Sequence, residues 1–124
     1  MSPFIQRIHH IIQRYPYGLL CIIAAIPLFV NLGQLTIREW DESRLVANAL
    51  EMYYNNNFVV THFDGAPDMW NTKPPLMIWL QVAMLHTIGF SEWAFRLPAA
   101  LAGLVTVIYI FYFSKKHTQN TLLA

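Results

Sequence analysis

Three stretches of the chain hold no Asp, Glu, Lys or Arg: residues 15–37, 74–91 and 97–114, of 23, 18 and 18 residues. A helix crossing the hydrocarbon core of a bilayer needs roughly 20 mostly apolar residues, so this placement of charge constrains the fold more than any total does. It predicts an all-α protein built of multi-pass transmembrane helices. The expected order is a cytoplasmic tail over 1–15, a first transmembrane helix over 16–37, an external loop over 38–73, a second transmembrane helix over 74–91, a third over 97–114 and a tail over 115–124. Hydrophobic residues make up 56% of the chain and charged ones 12%, which excludes disorder, since a disordered chain needs low hydrophobicity and high charge. A net charge of +1 provides no basic field, so no nucleic-acid partner is expected.

Residues 1–14 carry Arg7 and Arg14 and no acid, and GLLCIIAAIPLFV follows at 18–30. That order resembles a signal peptide, but the uncharged run continues to Ile37, no small-x-small site follows it, and Leu20 precedes Cys21 where a lipoprotein signal has a small residue. The first run is therefore read as an uncleaved span, kinked at Pro27, with Asn31 and Gln34 as helix–helix contacts. Cys21, the single cysteine, forms no internal disulfide, and no Cys/His spacing suits a metal. The basic tail places the N-terminus in the cytoplasm. The 38–73 loop, with Arg38, Arg44 and Lys73 against six acids, then lies on the non-cytoplasmic face of the plasma (inner) membrane. By parity a third span leaves Lys115 and Lys116 outside, against the positive-inside rule, unless one of the later runs does not fully cross.

The loop carries the chemistry. In DESRLVANALEMYYNNN (41–57), Leu45, Val46, Ala49, Met52 and Tyr53 recur at helical spacing, while Arg44, Asn48, Glu51 and Asn55 form a polar stripe. This predicts an amphipathic helix of about four turns on the membrane surface, with Asp41 at its N-cap. An Asp–Glu pair directly after a span is suited to take a proton from an acceptor hydroxyl if partial burial raises its pKa; the plainer reading leaves Asp41 a cap and Glu51 a solvated residue. Residues 58–72 read as an irregular connection with turn signals at Asp64–Gly65 and Ala66–Pro67. Proline suits the first helical turn, so Lys73-Pro74-Pro75-Leu76 predicts a helix start near Pro74, with Thr72 as a possible cap. Free N–H groups beside Lys73 would favour an anion, phosphate above all; the alternative is that Lys73 marks the membrane boundary and snorkels. Glu92 and Arg96 are spaced to pair across one helical turn.

The strings WDESRLVANALEMYYNN, DGAPDMWNTKPPLMIWL and GFSEWAFRLPAALAG, in this order, resemble the N-terminal part of the GT-C membrane glycosyltransferases. The likeness is nearest to bacterial relatives of the protein O-mannosyltransferases and of the lipid A aminoarabinose transferase, and it covers roughly residues 16–114. It implies an all-helical membrane enzyme, active outside the cytoplasm, that moves a sugar from a polyprenyl-phosphate-linked donor to a lipid or protein acceptor. The donor is the one cofactor-like group implied. Matched residue by residue, Asp41 takes the catalytic acidic position with Glu42 as a secondary candidate, and Arg44 and Lys73 take positions that hold the lipid phosphate. Where some members carry an acid directly before the KPP lysine, this chain has Thr72. Members run to several hundred residues, so the chain is expected to be an N-terminal portion, partnered by membrane lipids and by the remaining helices, and catalytically silent alone. The competing expectation is a small non-catalytic three-span protein acting as a packing or regulatory partner.

Overall fold

Pro16 divides the first apolar run from the tail ahead of it. The computed structural model describes residues 3–118, and the basic tail is itself helical, as α1 (Pro3–Arg14), followed by α2 (Pro16–Phe29). Tyr15 between them sits at φ −132°, ψ 53°, because a residue preceding proline is pushed out of the helical region. The 16–37 run does not stay helical to its end. Val30 is extended and Asn31 is left-handed at φ 66°, a conformation asparagine tolerates better than most residues. Asn31 and Gln34, expected on a helix face, lie instead in the turn that follows, where the Gln34 N–H donates to the Asn31 carbonyl at 3.2 Å.

The two later runs also change length. The 74–91 run gives α4 (Leu76–Ile88), and the last becomes α5 (Glu92–Thr118), which begins before residue 97 and runs past 114. Among the described residues, α5 is the one helix long and apolar enough to cross a membrane, while α2 and α4 are apolar but have 14 and 13 residues. At 1.5 Å per residue these two measure about 21 and 20 Å, against a hydrocarbon core of about 30 Å, whereas α5 reaches about 40 Å.

Two compact units share these elements, one made of residues 31–99 and the other of the segments on either side of it. In the flanking unit α2 and the 100–118 part of α5 run antiparallel. Tyr17 meets Phe111 edge-on at 5.1 Å, and Lys115 Nζ stands 5.3 Å from the Tyr17 ring. At the other end of α2, Leu28 packs where a Cβ on Gly103 would come within 3.2 Å of its Cδ2. The start of α2 therefore lies beside the end of α5.

In the 31–99 unit, α3 (Asp41–Asn55) packs against α4. Its helical stripe is real: Val46, Ala49 and Met52 are buried with Ile78, Val82 and Leu85 of α4 and with Ala94 and Phe95 of α5. The helix ends at Asn56, left-handed at φ 51°, and the Asn57 side-chain oxygen then accepts the N–H groups of Val59 and Val60 at 3.2 and 3.1 Å, a local turn typical of asparagine. The segment expected to be irregular contains a hairpin: β1 (His62–Phe63) pairs antiparallel with β2 (Ala66–Pro67). Asp64 at φ 55° and Gly65 at φ 76° connect the strands, the two left-handed residues that a two-residue hairpin turn of type I′ demands.

Arg96 ties the start of this unit together. Its Nε and Nη2 donate to the two Glu42 carboxylate oxygens at 2.5 and 3.1 Å, Nη1 donates to the Leu32 and Leu35 carbonyls at 2.9 and 2.6 Å, and Nη2 also reaches the Thr36 carbonyl at 3.0 Å. The expected side-chain pairing of Arg96 with Glu92 is replaced by this one, because Glu42 presents two oxygens beside a row of carbonyls that the turn leaves without helical donors. Close approach holds the same turn elsewhere: a Cβ on Gly33 would fall 2.2 Å from Trp93 Nε1.

Candidate functional site

The polar stripe of α3 faces the hairpin and the segment after it. Glu51 accepts the Gly65 N–H at 3.0 and 3.3 Å, so it fixes the hairpin turn in place of a purely solvating role. Asn48 Nδ2 donates to the His62 carbonyl at 3.0 Å and to Asp68 Oδ2 at 2.9 Å. Arg44 donates to Asp68 twice, from Nε to Oδ2 at 3.1 Å and from Nη2 to Oδ1. The Trp70 N–H adds a bond to Asp68 Oδ1 at 3.1 Å. The Asp68 side chain, 1% exposed, thus accepts four hydrogen bonds, two of them from a cation, which is what a buried carboxylate needs to remain ionised. Asn71 extends the network to Asn48 Oδ1 and Thr61 Oγ1 at 3.3 and 3.2 Å, and its own side-chain oxygen takes the Lys73 N–H at 3.3 Å.

Sequence reasoning missed Asp68. It stands 24 residues from Arg44, and nothing local separates it from Asp64. The available signal was indirect: a helix with a polar stripe bearing Arg44 and Asn48 needs a partner, and the turn-rich segment supplies acids.

This network floors a cavity of about 190 Å³ at the first turn of α3, lined by Asp41, Arg44 and Lys73 together with Asn48, Asn71 and Trp70. Three of the four residues singled out from sequence meet here. Asp41 is the first residue of the helix and not its cap, a position held by Trp40, and it is exposed, without the partial burial expected for it. Among the described residues, neither the Asp41 carboxylate nor the Lys73 ammonium has a hydrogen-bond or ion-pair partner. Arg44 keeps Nη1 unpartnered, while its guanidinium lies 4.7 Å over the Phe63 ring, a favourable face for a cation. The fourth residue, Glu42, does not line the cavity: Arg96 holds both its oxygens, and the Arg38 N–H donates to it at 2.7 Å. Thr72 is not a helix cap either. Pro75 occupies that place and α4 starts at Leu76, so the connecting segment carries Lys73, ahead of the helix's first turn.

Hydrogen bonds from Arg96 hold the Glu42 carboxyl below its ordinary range against the opposing effect of burial. Those from Arg44 do the same for Asp68. For a carboxylate with a folded pKa below the unfolded one, the stabilisation is complete above the unfolded value and disappears as pH falls through the folded value. The protein is therefore expected to lose thermal stability as pH drops below about 4. Asp68→Asn should be less stable at pH 7 and should show a shallower acid loss. Circular dichroism melts in detergent between pH 6 and 2 measure both, and an acid profile unchanged by Asp68→Asn would remove this account.

Residues 72–124 match the family model described as dolichyl-phosphate-mannose-protein mannosyltransferase. The matched stretch is thus similar to a mannosyltransferase-like glycosyltransferase, in keeping with the resemblance to the N-terminal part of a GT-C enzyme. It contains Lys73 and Arg96, and starts after Asp41 and Arg44. No curated protein and no solved structure matches the chain.

Proposed function

We propose that this chain is the donor-binding part of a membrane glycosyltransferase that moves a sugar from a polyprenyl phosphate to a lipid or protein acceptor. The observation that supports the reading best is the cavity at the start of α3, where an unpartnered acid, Asp41, shares a wall with Lys73 and with the free edge of Arg44. The two cations suit the phosphate, Arg44 as a planar donor and Lys73 as a compact charge. Asp41 takes the proton from the acceptor hydroxyl. Glu42, fully engaged by Arg96, positions the turn that carries Asp41.

The antiparallel pair in the flanking unit supports a reading of sidedness. Tyr17 and Lys115 adjoin, so Arg14 and Lys115 mark the same membrane face. The positive-inside rule makes that face cytoplasmic. On this reading Lys115 and Lys116 accord with the positive-inside rule.

The test is binding of a polyprenyl-phosphate sugar to the full-length protein in lipid nanodiscs. Charge-assisted hydrogen bonds are worth about 1.5–3 kcal/mol each, so Lys73→Met should weaken binding about 10–100-fold while membrane insertion is unchanged; Arg44→Met should weaken it at least as much and also destabilise the fold, because it strands the buried Asp68 carboxylate. Arg44→Lys should also be impaired, because two of the Arg44 nitrogens are committed to Asp68 and an ammonium cannot serve both partners in that geometry. Parent-like binding by all three variants would favour the non-catalytic membrane protein instead.

A further inference from the structure

A second pocket adjoins the cavity. It has a volume of about 460 Å³ and is lined by Trp40, Ser43, Arg44, Phe63 and Trp70. Arg44 and Trp70 belong to both, so the two spaces share a wall. Their chemistry differs. The smaller has an acid and two cations. The larger has three aromatic rings, one hydroxyl and the same guanidinium. Its size falls within the roughly 300–1,000 Å³ usual for small-molecule pockets, and so does its makeup of apolar walls with a few placed polar groups.

Trp40 and Trp70 are 84% and 83% exposed, so neither indole is there to fill a core. The backbone of Trp40 adds an independent observation. It stands at φ 85°, ψ −104°, a genuine outlier for a bulky residue. Such a conformation costs energy and persists only where surrounding bonds impose it. Here the Trp40 carbonyl is held by the Arg44 N–H and by the Ser43 hydroxyl, each at 3.1 Å. The Trp40 indole lines the pocket and is otherwise exposed.

We infer that this second pocket seats the glycosyl ring of the donor, an inference that rests on the reading of the neighbouring cavity as the phosphate seat. A pyranose offers an apolar C–H face and a rim of hydroxyls. The indoles of Trp40 and Trp70 match the face, and the Ser43 hydroxyl and an Arg44 N–H match the rim. A sugar phosphate joins an anion to such a ring through one oxygen. Two adjoining spaces with a common wall at Arg44 fit that covalent arrangement, with the anion on the Lys73 side and the ring on the Trp40 side.

The experiment compares two lipids on the full-length protein in nanodiscs: polyprenyl phosphate with its sugar and polyprenyl phosphate without it. Trp40→Ala should weaken binding of the sugar-bearing lipid about tenfold or more, the loss typical of a truncated aromatic anchor, and leave the sugar-free lipid unchanged. Trp40→Phe should recover part of the loss, and Ser43→Ala should show the same selectivity with a smaller effect. Equal weakening of both lipids would make Trp40 a membrane or folding contact and overturn the inference. Unchanged binding of both would also overturn it. If the parent protein binds neither lipid, the phosphate reading itself fails, an outcome distinct from failure of the sugar pocket.

Discussion

Asp41→Asn is expected to lower sugar transfer by the active protein about 10²–10⁴-fold, the range for loss of a general base, with donor binding close to that of the parent. The substitution keeps the shape of the side chain. It removes one negative charge from the first turn of α3, where interaction with the helix dipole is worth about 0.3–1 kcal/mol, so the fold should lose little. The prediction is sharp because the Asp41 carboxylate has no partner among the described residues: no ion pair breaks, and no buried group is orphaned. Transfer assays in membranes holding matched amounts of parent and variant decide it. A variant that turns over near the parental rate would leave Asp41 a helix-start residue with no catalytic part. Glu42→Gln separates the neighbouring role. It weakens the Arg96 pair, so its effect should appear first as lost stability, with transfer falling in proportion to folded protein.

How far the sequence reaches depends on the distance over which each feature is decided. The apolar spacing of Val46, Ala49 and Met52 marks α3 correctly, because a period of 3.6 is written into neighbouring residues. What covers that face is not local, and the covering residues turn out to be those of α4. The absence of charge over 15–37 marks an apolar stretch but not the end of its helix, which is set by Val30 and by the left-handed Asn31. The Asp64–Gly65 pair is a recognised hairpin turn, yet its flanking strands of two residues each are too short to show any alternation. Asp41, Arg44 and Lys73 are legible as candidates from residue type and order. Their convergence depends on Asp68, which joins the two segments across 24 residues and leaves no local trace. For Arg96, Glu92 offered the nearer partner at helical spacing, whereas the side chain that binds it is 54 residues away.

That long-range pair carries the largest expected effect on stability. Arg96→Met should destabilise the 31–99 unit by about 3 kcal/mol, the lower end of the range for breaking a buried ion pair, since the Arg96 and Glu42 side chains retain 16% and 28% exposure. Methionine fills much of the volume of the arginine stem, so lost packing is small and the lost bonds dominate. Three carbonyls, those of Leu32, Leu35 and Thr36, lose their donor at once, and Glu42 keeps only the Arg38 N–H. Arg96→Lys should rescue little, because a single ammonium cannot reach two carboxylate oxygens and three carbonyls that lie around a planar fork. The double variant Arg96→Met with Glu42→Gln should be less harmful than the sum of the single ones, since each partner is costly mainly when the other is left behind. Denaturant unfolding of the four proteins measures this coupling. Additive losses would mean that Glu42 and Arg96 act separately. In that case the turn carrying Asp41 would be held by its carbonyl contacts alone, and the acid at the cavity would keep its place without the pair.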